Sequence, residues 1–161
     1  MYRILIVDDE KLERNGIQFL LKKTGTELEI FEAANGRDAL ELLAHQKAEI
    51  LLTDIKMPYM NGLELAEKVS SQYPETKIIM FSGYSDFSYA QTAIRYGVSD
   101  YILKPVDPWE FQKTMKKLLE EIKREKAEEV QQIKTQDYLY QFFLQNYLYG
   151  GKTDIEEIKK A

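Results

Sequence analysis

The chain has no cysteine and a single histidine, His45, among its 161 residues. Without cysteine it cannot form disulfides, thiolate metal sites or a cysteine nucleophile, and one histidine excludes a cluster of histidine ligands. Positive charge is also scarce: 22 Lys and Arg stand against 27 Asp and Glu, giving a net charge of −5. Nucleic-acid-binding domains usually present a basic face, so this balance argues against nucleic-acid binding by these residues themselves.

Long apolar stretches are absent as well. No segment approaches the length that crosses a bilayer, and the N-terminus lacks the basic and apolar regions of a signal peptide. We therefore expect a cytoplasmic protein with no membrane contact.

The sequence does contain short apolar runs that alternate with helical patterns. A run of this kind is typical of a strand buried on both faces of a parallel sheet. The predicted strands cover residues 3–7, 28–32, 50–53, 77–81 and 101–103. The predicted helices between them cover residues 11–23, 36–45, 62–73 and 87–96. Regular alternation of this kind predicts an α/β fold with a parallel sheet and helices on both faces.

A fifth helix is predicted to begin at Asp107-Pro-Trp-Glu110, where Asp107 can act as the cap, Pro108 suits the first turn and Glu110 completes a capping box. Apolar residues then recur at helical spacing as far as Ile122. Residues 123–129 are almost all charged, and residues 138–149 are apolar or aromatic on nearly every side. We expect a domain at 1–122 and a helical extension at 123–161, whose aromatic cluster belongs to the core of a missing domain or to a dimer contact.

Acidic residues follow two of the predicted strands. The apolar run Ile4-Leu-Ile-Val7 leads directly into Asp8, Asp9 and Glu10, and the run at 50–53 leads into Asp54. Open α/β sheets build their ligand sites at the carboxyl ends of strands, so these carboxylates are expected to meet if the two strands are neighbours. An all-oxygen site of this kind suits Mg²⁺. A carboxylate beside such an ion can also attack phosphorus and form an aspartyl phosphate.

Two further polar residues are expected at the same edge of the sheet. Lys104 follows the last strand and can supply the cation that a phosphoryl group needs, while Ser82 ends the fourth strand and can offer a hydroxyl. Each residue also has a simpler interpretation when taken alone: the acids as helix caps, Lys104 as a solvated lysine and Ser82 as a turn residue. Their shared position at strand ends favours a common site.

The motifs together resemble the receiver domain of two-component response regulators. The resemblance rests on Asp8-Asp9, on Asp54 with Met57-Pro58 and Asn61-Gly62, on Ser82-Gly83, and on Tyr101 with Lys104-Pro105. It covers residues 1 to about 122 and implies a flavodoxin-like (βα)5 fold, a doubly wound parallel sheet with strand order 2-1-3-4-5.

The resemblance also implies roles for individual residues. Asp54 would be phosphorylated by a sensor histidine kinase, and Lys104 would contact the phosphoryl group and precede a cis Pro105. Asp9, Asp54 and the backbone carbonyl of Lys56 would hold Mg²⁺, with Asp8 acting through water. Ser82 and Tyr101 would then move as the switch, although Tyr101 alone can also be read as a core aromatic. The fourth helix, fifth strand and fifth helix would form the face that changes.

Residues 83–90 and 94–101 are similar to the regulators whose output is an AraC-type DNA-binding domain. If that subgroup is right, DNA is contacted only by an output domain that this chain lacks. The resemblance leaves open a homodimer, formed through the switching face or through residues 123–149. The chain would be a signalling switch that catalyses only its own phosphorylation and dephosphorylation.

Three other functions fit parts of the pattern. A metal-dependent phosphatase with an aspartyl nucleophile usually has a second acid two residues after it, where this chain has Lys56. An FMN carrier needs a phosphate loop after the first strand, and Asp8, Asp9 and Glu10 would repel the phosphate. A receiver without an output domain is the third, and the extension and its aromatic cluster disfavour it.

Overall fold

The computed structural model describes residues 1–83 and 87–149, with the side chain of Tyr149 left aside. Residues 84–86, which carry part of the resemblance to AraC-type regulators, lie outside the described residues, as do residues 150–161 of the predicted helical extension. By contact, the chain divides into two compact units, Met1–Leu119 and a second that begins at Glu120.

The first unit is built on five parallel strands in the order β2-β1-β3-β4-β5. The strands are β1 Tyr2–Val7, β2 Leu28–Ala33, β3 Ile50–Asp54, β4 Lys77–Ser82 and β5 Asp100–Leu103. The helices are α1 Lys11–Lys22, α2 Gly36–His45, α3 Gly62–Gln72, α4 Phe87–Arg95 and α5 Pro108–Tyr149. The predicted doubly wound flavodoxin-like fold, with strand order 2-1-3-4-5 and a long C-terminal helix, is confirmed.

The central strands are buried on both faces, as unbroken apolar runs require. Leu5 and Leu51 point into one cluster with side chains of α2, α3 and α4. The side chain of Phe81, next to Met80 on β4, points to the opposite face of the sheet. Its ring stacks on Phe111 of α5 with centroids 6.2 Å apart. No polar side chain is placed inside these runs until each strand reaches its carboxyl end, apart from Thr53.

Side-chain caps fix the beginnings of three helices. Asn35 accepts a hydrogen bond from the backbone N–H of Asp38, and Asn61 accepts one from Glu64. Asp107 accepts from the N–H groups of Trp109 and Glu110 at 2.8 and 3.1 Å, which confirms the predicted start of α5. Caps of this kind stabilise a helix by about 1 kcal/mol and set where each loop ends.

The second unit contains the rest of α5, which continues unbroken to Tyr149. Its large apolar side chains are mostly exposed, among them Ile133 at 53% and Tyr147 at 89%. The cluster at 138–149, predicted to need burial, is therefore largely uncovered among the described residues. None of the helices described is apolar enough over a sufficient length to span a bilayer.

Candidate functional site

The carboxylates predicted to meet do lie together. β1 ends at Val7 and β3 ends at Asp54, and the two strands pair in parallel with Val7 beside Thr53. The side chains that follow them therefore emerge at one edge of the sheet. One carboxylate oxygen from each of Asp8, Asp9 and Asp54 falls within 4.8 Å of the others. This acidic pocket is the feature around which the other candidate residues lie.

The three acids differ in exposure, which separates what each can do. Asp8 is buried and its Oδ1 accepts a hydrogen bond from the backbone N–H of Glu10 at 2.9 Å. Asp9 is exposed, and the Asp54 side chain is 15% exposed. A buried, hydrogen-bonded carboxylate is fixed in place, whereas a partly exposed one can be reached by a ligand from solvent.

Lys104 brings positive charge to the acidic pocket. It follows β5, and its Nζ lies 3.3 Å from Oδ2 of Asp8 and 3.6 Å from Oδ1 of Asp54. The backbone N–H of Lys104 donates to the carbonyl of Ser82 at 2.8 Å, which ties it to the end of β4. The Lys104–Pro105 peptide bond is cis, as the resemblance implies.

The charges of Asp54 and Lys104 shift each other's pKa. Burial raises the pKa of Asp54 above its ordinary value of 3.8; Lys104 opposes that shift, while Asp8 and Asp9 add to it. Burial alone lowers the pKa of Lys104, but the neighbouring Asp54, Asp8 and Glu13 outweigh it and the net pKa is raised above 10.5. Lys104 is thus held charged, while the ionised form of Asp54 is disfavoured and gains from any added cation.

A glycine allows the backbone to pack closely beside Asp54. Gly62 begins α3, and its N–H donates to the carbonyl of Ile55 at 2.7 Å. A Cβ built on Gly62 would lie 1.9 Å from the carbonyl oxygen of Asp54, far inside any real contact. The loop from Ile55 to Asn61 is therefore folded tightly over the end of β3 because position 62 carries no side chain.

The remaining predicted residues lie near the same edge with different exposures. Ser82 is the last residue of β4 and is almost fully buried. Tyr101 lies in β5 beside Met80 and packs, partly buried, against the core cluster. Lys56 is exposed in the loop after β3. The roles of all three stay predictions.

Arg14 was not among the residues predicted from the sequence. Its Nη1 donates to the backbone carbonyl of Asp8 at 2.6 Å and its Nε pairs with Glu32 at 3.0 Å. The guanidinium, which is 12% exposed, thus joins α1 to the ends of β1 and β2. A signal was available: Arg14 is the fourth residue of α1, within about one turn of its amino end, where the helix dipole disfavours a cation unless it has specific partners.

Glu13 was also missed. Its Oε2 lies 3.7 Å from Nζ of Lys104, so a fourth carboxylate reaches the edge of the acidic pocket. The Glu13 side chain is 44% exposed, and a pair of this kind contributes little to stability. Its position does mean that Lys104 has partners on more than one side.

Comparison with known proteins agrees with this geometry. Residues 4–116 match the family model described as the response regulator receiver domain. The transcriptional regulatory protein YesN of Bacillus subtilis is 39% identical over 127 residues, which are 78% of this chain and 34% of YesN. The sensory transduction protein LytT of the same organism is 36% identical over 117 residues, 73% of this chain and 48% of LytT. The chain thus spans between a third and a half of the length of these relatives.

Solved structures give the same result for the first unit. The receiver domain of AraT, a response regulator from Geobacillus stearothermophilus, is 37% identical with a TM-score of 0.70, and the match covers 78% of this chain and 98% of that domain. A CheY-like receiver domain from Methanospirillum hungatei is 34% identical with a TM-score of 0.70 and the same coverage of each chain. This chain belongs to the response regulator receiver family, and its first unit is a receiver domain of two-component signalling.

Proposed function

We propose that Asp54 is the phosphoacceptor of this receiver and that a sensor histidine kinase is the phosphoryl donor. The observation that carries the proposal is the position of Lys104, whose Nζ lies within 3.6 Å of carboxylates on both Asp8 and Asp54. A lysine beside an accessible carboxylate can bind a phosphoryl oxygen at the moment the phosphorus–oxygen bond forms. An oxygen of Asp54 attacks phosphorus as the bond to the donor's nitrogen breaks, and the electron pair leaves with that nitrogen.

The residues of the acidic pocket fit Mg²⁺. Their available atoms are all oxygens, one from each acid, within 4.8 Å of one another, and hard cations prefer such a set. Asp9, Asp54 and the backbone carbonyl of Lys56 would hold the ion, and Asp8 would act through water. When bound, Mg²⁺ supplies positive charge that favours ionised Asp54 and neutralises phosphoryl oxygens.

Each side chain then has a task. Asp54 must be ionised to attack, and Lys104 favours that state by charge while burial opposes it. Lys104 stays protonated through the transfer because its pKa is raised. Its fixed charge therefore stabilises the negative charge that gathers on the phosphoryl oxygens.

The switch would begin at Ser82. Phosphorylation adds about 1.5 to 2 negative charges and three acceptor oxygens at Asp54. Ser82 ends the strand next to β3 and can donate its hydroxyl to one of those oxygens. Tyr101, half-buried on β5, would follow, and the surface of α4, β5 and the start of α5 would change. Moving from almost all inactive to almost all active needs roughly 5.5 kcal/mol of differential stabilisation.

The output is proposed by analogy with the relatives, some of which are named transcriptional regulatory proteins. In that case a DNA-binding domain outside this chain would read the state of the receiver, inside the cytoplasm. The first unit can also act alone through its switching surface, or pair with a second copy there.

The competing reading as a metal-dependent phosphatase is disfavoured by Lys56. Position 56, two residues after the nucleophile, holds a lysine instead of the acid that such a phosphatase uses to protonate the leaving alkoxide. We infer that the chemistry is limited to phosphorylation and dephosphorylation of the chain itself.

The test combines Mg²⁺ with acetyl phosphate or beryllofluoride. Wild-type protein is expected to gain the mass of one phosphoryl group with acetyl phosphate, and to show NMR shifts around Ser82 and Tyr101 with beryllofluoride. Asp54→Ala is expected to do neither. Equal labelling of Asp54→Ala, or labelling of wild type without Mg²⁺ at the same rate, would refute the assignment.

A further inference from the structure

The exposed part of α5 carries apolar side chains at heptad spacing. Over residues 129–148 the helix has apolar side chains at intervals of three, seven, four and three residues. They are Val130, Ile133, Tyr140, Leu144 and Tyr147. Alternating steps of three and four keep a stripe on one side of a helix that pairs with another helix, and Asp137 occupies the single position where the pattern is polar.

Most of this stripe is uncovered. Val130 and Ile133 are each about half exposed, and Tyr140 is 63% exposed. On the opposite side lie the polar residues Gln131, Gln132 and Thr135 in the first half of the stretch, and Tyr138, Leu139 and Phe142 in the second half. Exposed apolar patches of this kind on a helix mark a contact with another surface.

The positions that flank the stripe identify the partner. In a parallel pair of identical helices, each residue on one flank meets the residue five positions later on the partner's other flank. Glu129 then faces Lys134, an ion pair; Gln136 faces Gln141, an amide pair. The third such pair is Phe143 with Leu148, both apolar.

An antiparallel pairing lacks this agreement. Placing the same apolar stripes together head to tail brings Gln136 against Phe143 and leaves Glu129 without Lys134 opposite it. Within one helix, residues five apart lie on different sides, so Glu129 and Lys134 cannot form an ion pair inside a single chain.

We propose that residues 129–148 of α5 form a parallel, in-register coiled coil with a second copy of this chain. The stretch is 20 residues, about 30 Å of helix, and has five apolar layers and one polar layer. The two Asp137 side chains meet in that polar layer, where the repulsion of their like charges lowers the stability of the dimer. The proposal concerns the second unit by itself and does not depend on the phosphorylation of Asp54.

The first test is the mass of the whole chain in solution by sedimentation equilibrium. We expect wild type to associate to twice 18.9 kDa, and Asp54→Ala to do the same. Ile133→Asp is expected to weaken dimerisation by roughly a hundredfold or more, because it places two charges in an apolar layer. Gln132→Asp makes the same charge change one residue away, off the stripe, and is expected to leave the dimer intact.

The flanking ion pair is tested by exchanging its charges. Glu129→Lys and Lys134→Glu each convert two attractions into two repulsions and are expected to raise Kd by roughly 5- to 30-fold. The double variant is expected to restore wild-type Kd. Failure of the double variant to recover would overturn the parallel arrangement.

The lack of cysteine allows a direct test of register. Asp137→Cys would place one thiol against its copy in the parallel dimer, so mild oxidation is expected to give a covalent dimer. Gln132→Cys is expected to give little. A wild-type chain that stays monomeric at high concentration, a dimer indifferent to Ile133→Asp, or equal cross-linking of the two cysteine variants would each overturn the proposal.

Discussion

The two parts of α5 use large apolar side chains in opposite ways. Phe111 near its start is fully buried against Phe81, whereas Phe143 near its end is 68% exposed. Both residues belong to helical stretches rich in apolar positions, so composition does not distinguish them. The difference is that the sheet supplies an apolar face for Phe111, while Phe143 has the edge-on ring of Phe142 beside it and stays mostly exposed. Burial is decided by the available partner rather than by the residue type.

The sharpest test of this contrast truncates one phenylalanine in each part. Phe111→Ala is expected to lower the free energy of unfolding of the first unit by about 3–5 kcal/mol, because it leaves a cavity under the sheet. Phe143→Ala is expected to change it by no more than about 0.5 kcal/mol, since little is buried there. Urea unfolding in dilute protein measures both. Similar losses in the two variants would show that the contrast is wrong.

The next largest effect is expected at Gly62. Gly62→Ala forces a methyl group against the carbonyl of Asp54, so the loop or α3 must shift and stability falls by about 1–3 kcal/mol. Mg²⁺ affinity is expected to fall too, because the shift displaces the end of β3.

Gly16→Ala is the matched control. Gly16 lies within α1 and has no atom within 4 Å of a built Cβ, so alanine is expected to raise stability by about 0.5–1 kcal/mol. Thermal unfolding with and without Mg²⁺ measures both variants. Stability changes of opposite sign in the two variants support the close approach of Gly62 to the Asp54 carbonyl, and changes of the same sign contradict it.

Loss of the Arg14 contacts is expected to lower the free energy of unfolding less than Phe111→Ala does and more than Phe143→Ala does. Arg14→Gln removes the bond to the Asp8 carbonyl and the pair with Glu32, and should cost about 1–2 kcal/mol. Adding Glu32→Gln is expected to recover part of the stability, because Glu32 no longer loses its partner. It should not recover Mg²⁺ affinity, which depends on the Asp8 backbone. Full recovery of both by the double variant would show that Arg14 does not position Asp8.

The smallest expected effect is the change of stability with pH that arises from Asp54. Because burial raises the pKa of Asp54, the stability linked to its proton is fully present below its unfolded pKa of 3.8 and is lost as pH rises through the higher folded pKa. Asp54→Asn carries no such charge. Its melting temperature is therefore expected to exceed that of wild type at neutral pH, with the difference vanishing in acid.

Exposed Glu67 on α3 provides a control for this measurement, since Glu67→Gln should change stability little at either pH. Adding Mg²⁺ is expected to raise the melting temperature of wild type and to do so less in Asp54→Asn. A difference between Asp54→Asn and wild type that grows toward acid would reverse the assigned sign.

The sequence predicted the first unit well because its signals are local and consistent. Apolar runs ending in Asp8 and Asp54 place the strand ends, and Asn61 and Asp107 place helix starts within one or two residues. Parallel pairing then brings the acids together without further information. Arg14 and Glu13 escaped because their importance lies in contacts across the fold, between α1 and the strand ends, and neither residue type is unusual on a helix.

The helical extension predicted from residue 123 is observed as the continuation of α5, which runs unbroken to Tyr149. Once one helical frame connects Val130 to Tyr147, the spacing of the apolar residues can be read without a break. The boundary predicted at 122 falls inside this helix, three residues after the division between the two units.

The pocket draws on residues that are distant in the polymer, for Asp8 and Lys104 are 96 positions apart. During synthesis the first aspartates emerge early, and the lysine only after all five strands have been made. If Asp54 is the phosphoacceptor, a chain still on the ribosome has the acids without their counter-charge and is not expected to accept a phosphoryl group until β5 has joined the sheet. Phosphorylation would then report that the sheet is complete.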